Sequence, residues 1–223
     1  GEIHMAPKNI EKRNEILTVA YNCFGEAHYN QVTLEEIARG AGINKSLLQH
    51  YYSKKSDIIS ALLEELLNTA YSYMELLPYT YDDIFCEISD FNMLFFKGAA
   101  YSKKLDQFVT SSVSQPEVLN LWIEIISGWL QKLCGENSFS YLQLKTAINF
   151  SMSGSMRLYQ YKDELGLDYK FITNNHIETI MRLLQFKQKK IEEVTKITRE
   201  RCDSISAEDY LQYCVDSIQW LSI

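Results

Sequence analysis

The sequence predicts an all-α protein, and three observations carry that prediction. Prolines and glycines are scarce, three and nine in 223 residues, whereas strands joined by tight turns need more of both. Apolar residues recur on one side of a helix, most clearly in the stripe Ile58, Ile59, Leu62, Leu63, Leu66, Leu67 and Ala70. No segment shows the alternation of apolar and polar residues that marks a half-buried strand.

Ile16, Leu17, Ala20, Tyr21 and Phe24 share one face at a period of about 3.6 residues, which predicts a first amphipathic helix over residues 8 to 27. Thr33 followed by Glu36 reads as a capping box opening a short helix that carries Leu34, Ile37 and Ala38. Gly40-Ala41-Gly42 ends it, because glycine supplies the left-handed backbone of a tight turn. Asn44 reads as the N-cap of a second short helix, Lys45 to Tyr51, and a long helix follows from Ser56 to Leu77, stopped by Pro78. Further starts are marked by Thr80-x-x-Asp83, Ser114-Gln115-Pro116-Glu117, Ser140-x-x-Gln143 and Ser206-x-x-Asp209. The expected helices beyond Pro78 are 82 to 97, 100 to 112, 116 to 134, 140 to 162, 174 to 199 and 206 to 221. No repeat or low-complexity linker separates them.

The net charge of −7 argues against a protein that coats nucleic acid indiscriminately, but the sum hides an asymmetry. Residues 7 to 55 hold seven Lys/Arg against five Glu, a surplus of two positive charges, so the rest of the chain carries a surplus of nine negative ones. A polyanion is therefore steered to the N-terminal end, and the acidic remainder disfavours a strongly anionic small ligand. Five scattered cysteines, Cys23, Cys86, Cys134, Cys202 and Cys214, show no metal-ligand spacing and read as thiols in a reducing compartment. With no signal peptide and no apolar run of about 18 residues, the expectation is a cytoplasmic protein without membrane contact. Gly1 to His4 reads as an appended segment ahead of Met5. No cofactor or metal is expected.

A capped short helix, a glycine turn and a second short helix with polar residues outward form the pattern of a helix-turn-helix, whose second helix enters the major groove. The same pattern also suits a purely structural corner. Around it, residues 13 to 59 resemble the DNA-binding region of TetR-type regulators: Arg13, Ile16, Leu17, Ala20 and Phe24, then Thr33, Ile37, Ala38, Ala41-Gly42-Ile43, Leu48, Tyr51-Tyr52, Lys55 and Ile58-Ile59. The chain departs from the family pattern at Ser46 and Leu47, where glycine and threonine are usual, at Gln49 in place of tyrosine, and at Lys54 in place of serine. An operator sequence carried over from relatives is therefore unreliable.

The resemblance implies a three-helix DNA-binding domain over residues 5–55 and a helical ligand-binding and dimerisation domain over 56–223. It implies that Thr33 meets a phosphate, that Lys45, Ser46, Gln49 and His50 face base edges, and that Tyr51 and Lys55 hold flanking phosphates. His50 equally suits an idle surface position, and His28 and His176 read as ordinary structural or exposed residues. The aromatic and methionine-rich stretch from Ala70 to Leu133 suits either a plain core or a ligand pocket. The family implies the pocket, with Tyr71, Met74, Phe91, Phe95, Tyr101, Phe108, Trp122 and Trp129 as candidate lining.

Small residues Ala147, Ser151, Gly154 and Ser155 with the stripe Ile177, Ile180, Met181 and Leu184 suit a homodimer contact, or packing within one chain. The last helix, with Tyr210, Leu211, Val215, Ile218 and Trp220, is additional to the usual family plan. The functional expectation is a homodimeric repressor released from double-stranded operator DNA by a small molecule. An activator or chromosome-organising protein with no inducer shares the same motif and stays open beside it. A helical enzyme would need a constellation such as Glu-x-x-His pairs, His-Glu-x-x-His or Gly-x-Ser-x-Gly, and the sequence has none.

Overall fold

A computed structural model describes residues 7–134 and 139–223; the expected appended segment Gly1 to His4 lies outside them. Among the described residues there are twelve helices and no strand: α1 (Pro7–Glu26), α2 (Leu34–Gly40), α3 (Lys45–Tyr51), α4 (Lys55–Met74), α5 (Ile84–Tyr101), α6 (Lys103–Val113), α7 (Pro116–Cys134), α8 (Tyr141–Gln160), α9 (Lys162–Leu165), α10 (Tyr169–Leu183), α11 (Gln188–Ser204) and α12 (Ala207–Ser217). None is long and apolar enough to cross a membrane.

The body is organised around α5, whose residues from Phe85 to Ala99 are all buried except Glu87. A helix apolar nearly all round must be surrounded, and α4, α6, α10, α11 and α12 enclose it. Two charged residues on α5 are nevertheless buried, and both hold α11. Asp90 accepts from the Arg201 guanidinium and the Tyr81 hydroxyl, each at 3.0 Å. The Lys97 ammonium donates to the carbonyls of Cys202, at 2.6 Å, and Ile205, satisfying groups that the end of α11 leaves free. Removing either partner would strand a buried charge.

Several boundaries differ from the sequence reading. α5 begins after Asp83, whose carboxylate accepts from the Phe85 amide at 2.8 Å, so Thr80 is not its cap. α4 stops at Met74, four residues before Pro78. The largest correction concerns the single helix expected over 174 to 199. The structure breaks it into α10 and α11, because Gln185 adopts φ 65° and the Gln185 and Phe186 amides bond back to the Arg182 and Met181 carbonyls at 2.9 and 3.0 Å. This is a Schellman closure with glutamine where glycine is usual, secured by Phe186 packing edge-to-face on Phe85, ring centroids 4.7 Å apart. Gln185→Gly is expected to raise stability by about 0.5–1 kcal/mol by relieving the left-handed backbone, measured as a higher thermal midpoint. An unchanged or lower midpoint would show that the glutamine side chain compensates for its backbone.

His176 is fully buried where α10 crosses α8, its Nδ1 2.8 Å from the Ser151 hydroxyl, which also donates to the His176 carbonyl at 2.7 Å. Burial holds its pKa down to about 4, against an ordinary 6.5. The unfolded chain therefore binds a proton between pH 6.5 and 4 that the native fold refuses, so stability falls as pH is lowered through that window, by up to ~3 kcal/mol. Denaturant titrations from pH 7 to 4 should show this loss, and His176→Gln should flatten it. An equal slope in both proteins would place the acid sensitivity elsewhere.

Candidate nucleic-acid interface

The first three helices are locked by short-range rules. Thr33 caps α2: its hydroxyl accepts from the Glu36 amide at 3.2 Å, and its own amide donates to the Glu36 carboxylate at 2.8 Å. The Glu36 carboxylate thus sits on the N-terminus of α2, where Thr33 serves as the cap. Gly42 turns the chain at φ 65°. Gly40 lies so close to α1 that an added Cβ would come 2.6 Å from Val19. Asn44 caps α3 by accepting from the Leu47 amide at 2.8 Å. Ile37, Ala38 and Leu48 are buried between the helices, with Ile43 partly so.

This leaves Lys45, Ser46, Leu47, Gln49 and His50 exposed on α3. Lys45 is tethered at 2.5 Å to Glu35, an exposed pair that a phosphate or base can replace at little cost. Tyr51 is half-buried, its hydroxyl 3.3 Å from the Asn9 side chain. At the unusual Lys54, the start of α4 is closed by Asp57, which accepts from the Ser53 hydroxyl at 2.6 Å and the Lys54 amide at 3.1 Å.

Lys55 departs most from the expectation of a free phosphate ligand. Its ammonium donates to the Tyr29 and Val32 carbonyls at 2.6 and 2.8 Å and stands 4.0 Å from the centre of the Tyr29 ring. Burial lowers its pKa, partly offset by Glu117 and Glu36. It fastens the loop between α1 and α2 to the start of α4.

The same loop is gripped from the body. The Tyr29 amide donates to the Ser111 hydroxyl of α6 at 2.7 Å, and its phenol donates to Glu117, in the first turn of α7, at 2.6 Å. Tyr29 thus joins the head to α4, α6 and α7 at once. A second junction lies at the C-terminus, where Trp220 is buried against Tyr21 of α1, ring centroids 5.2 Å apart. Its indole N–H donates to Glu65 of α4, which pairs with Arg13 of α1 at 2.9 Å. Neither junction was legible from local sequence pattern, since their partners lie far apart along the chain.

The aromatic candidates for ligand lining divide. Tyr71 of α4, Phe91 of α5 and Trp129 of α7 come together, with Trp129 centred 5.6 Å from Tyr71 and 4.8 Å from Phe91. With Leu67, Ile125 and Ile126 they line a cleft of about 280 Å³ that opens past the exposed Asn68. The Tyr71 hydroxyl donates to Glu87 at 3.2 Å, and burial, Glu87 and Glu75 keep that phenol protonated. Met74, Phe95, Phe108 and Trp122 are core instead; Phe108 packs on Tyr21 and Phe95 on Trp122. Tyr101 is corrected outright: it is 62 % exposed at the end of α5, beside α6 and away from the cleft. Apolar density along a sequence cannot separate these three environments.

The small-residue stripe likewise faces inward. Ala147, Ser151, Ile177 and Met181 are buried where α8 and α10 pack together within one chain, Leu184 is half-buried, and only Gly154 is open. The outer side of the same helices exposes Leu142 (73 %), Phe150 (68 %), Phe171 and Leu183. These apolar residues lie off the buried stripes, a signal that the sequence did contain.

A two-helix unit that seals its core behind Leu48 and turns the other face of its second helix to solvent is shaped to enter a groove, not to support a neighbour. Leu34 to Tyr51 therefore have the geometry of a DNA-binding helix-turn-helix, carried on a helical body. Residues 16–62 match the family model described as "Bacterial regulatory proteins, tetR family". A curated relative, the HTH-type transcriptional regulator HbdR of Aromatoleum sp. (strain CIB), is 34% identical over 64 residues, a segment that spans 28% of each chain. A TetR-family regulator from Streptomyces coelicolor A3 shares the fold at a TM-score of 0.58 and 17% identity, over 82% of this chain and all of that one. A structure from Rhodococcus sp. described as a TetR-family transcriptional regulator does so at 0.50 and 13%, over 79% and all. The chain thus carries the DNA-binding region of tetR-family regulators over residues 16–62 and shares the fold of solved TetR-family proteins.

Proposed function

We propose that the protein is a homodimeric repressor that holds a palindromic operator through α3 and leaves it when a small molecule enters the cleft between α4 and α7. The observation that carries this reading is the double attachment of Tyr29. The helices that form the two sides of the cleft reach the same loop of the DNA-binding head, α4 through Lys55 and α7 through Glu117. A ligand that spreads them shifts the head, and so the spacing of two recognition helices that must match half-sites about one helical turn apart. Release then follows from the ligand's preference for the spread state.

In this reading residues 5–55 are the DNA-binding unit and 56–223 the sensing and dimerising body. Lys45, Ser46, Gln49 and His50 meet base edges or the backbone beside them, Tyr51 flanks them, and Lys55 acts by holding the loop. The partner protomer meets the outer faces of α8 and α10, through Leu142, Phe150, Gly154, Phe171 and Leu183.

The test is an anisotropy titration of the full chain on DNA from upstream of its own gene, beside scrambled DNA, at two salt concentrations. Selective binding with two protomers per site is expected. Equal weak binding to both, followed by a random-sequence selection that yields no preferred site, would overturn the reading. Within the same assay Gln49→Ala is expected to relax preference at particular base pairs, costing about 1–3 kcal/mol there. A uniform loss on every sequence would remove Gln49 from the reading set.

A further inference from the structure

The cleft between α4 and α7 has a chemical bias that narrows what it accepts; the inference rests on the reading of this cleft as the ligand site. Tyr71, Phe91 and Trp129 line it, and an aromatic ring offers a cation the negative centre of its face. The charged group tied to this lining is a carboxylate, since Glu87 accepts the Tyr71 hydroxyl hydrogen bond and lies one turn before Phe91 on α5. Among the described residues no Lys or Arg stands within ion-pair distance of Glu87. Arg201, which reaches α5 one turn further on, is committed to Asp90 and lies over Tyr79 and Tyr81. Lys132, one turn beyond Trp129 on α7, is exposed and forms no wall of the cleft.

An anion placed here would meet three aromatic rings and, behind the Tyr71 hydroxyl, a carboxylate with no Lys or Arg paired to it among the described residues. A neutral apolar molecule would gain burial but would leave the carboxylate unanswered. We propose that the cleft recognises a small lipophilic organic cation, a quaternary or aryl-substituted ammonium held against the Trp129, Tyr71 and Phe91 rings with Glu87 as its counter-charge. Cations over aromatic faces gain most when desolvated, and Leu67, Ile125 and Ile126 supply the dry surround. The volume of about 280 Å³ lies at the lower limit of ligand pockets, which favours a single-ring compound.

The probes are benzyltrimethylammonium, its neutral carbon isostere neopentylbenzene, and the anion 4-tert-butylbenzoate, titrated into the full-length protein by calorimetry and by tryptophan fluorescence. The cation is expected to bind at least ~10-fold more tightly than the isostere, and the benzoate to show no saturable binding. Glu87→Gln, which keeps shape and hydrogen bonding, should bring the ratio of cation to isostere close to one, while Trp129→Ala abolishes binding of both.

Equal affinity for cation and isostere in the wild-type protein, preference for the benzoate, or no saturable binding of the cation would each overturn the proposal. A ratio that survives Glu87→Gln would overturn the role of the carboxylate. A cation that binds as expected but leaves operator affinity unchanged supports this ligand class, and it is then the ligand-release reading that fails.

Discussion

Phe150→Asp is expected to give a monomer whose affinity for the operator is lower by about 10²-fold or more, while its thermal stability at high protein concentration falls only by what dimerisation contributed. Phe150 is 68 % exposed on α8, four residues before the open Gly154 and eight after Leu142, so the three lie along one outward stripe. Phe171 and Leu183 extend the apolar surface on α10, which packs beside α8. Clustered exposed apolar residues of this size mark an association surface, and a two-fold axis through it would bring each Phe150 close to the partner copy. A carboxylate there must be desolvated without a cation to meet it, which like-charge repulsion across the axis makes worse.

The loss on DNA follows from linkage between half-sites. Two heads held together turn the second contact into an intramolecular event worth a factor of 10²–10⁴. Sedimentation velocity and anisotropy on the same preparations check both parts. A Phe150→Asp protein that stays dimeric would move the interface off α8 and α10. A monomer with unchanged operator affinity would break the link between assembly and DNA binding.

What could be read from the sequence depended on the range of the interactions involved. Caps act over three or four residues, so Thr33, Asn44, Ser140 and Ser206 announced the starts of α2, α3, α8 and α12, and the structure has each of them accepting a backbone N–H. The helix-turn-helix was legible for the same reason, being almost wholly local. Gln185 hid the break between α10 and α11, because its left-handed backbone is imposed by Phe186 docking on Phe85, a residue about a hundred positions away.

The cleft and the junctions were half-legible at best. Tyr71, Phe91 and Trp129 were singled out along with five aromatic or methionine neighbours that turned out to be core or surface, since spacing along a helix does not say which neighbour a ring meets. Lys55 shows the converse: the family resemblance implied a phosphate contact, and only the fold reveals that its ammonium donates to the Tyr29 and Val32 carbonyls. Small residues at helical spacing marked α8 as a packing helix but left open whether the neighbour was a partner copy or the same chain, and Ala147 and Ser151 are buried where α8 packs on α10.

The additional C-terminal segment yields the second large prediction. Trp220→Ala should destabilise the protein by about 3–5 kcal/mol, the range for deleting a buried large aromatic, because the indole is fully buried between Tyr21 and Glu65 and its removal leaves a cavity where α1 meets α4. The tail makes further bonds in the same region, Gln219 to Asn14 of α1 and Ser222 to Lys104 of α6 at 2.7 Å. It thus ties α1 of the DNA-binding head to α4 and α6 of the body, and cohesion there should set how faithfully a movement of α4 reaches α1. Trp220→Phe separates the two contributions. It keeps most of the buried ring but deletes the N–H to Glu65, so a smaller loss of about 1–2 kcal/mol is expected, together with a weaker coupling between ligand and operator. Chemical denaturation gives the first quantity, and operator affinity with and without ligand gives the second. If Trp220→Ala unfolds at the wild-type midpoint, the tail is not packed as the structure has it. If Trp220→Phe leaves the ligand response intact while lowering stability, the tail braces the fold and transmits nothing, and the coupling runs through Tyr29 alone.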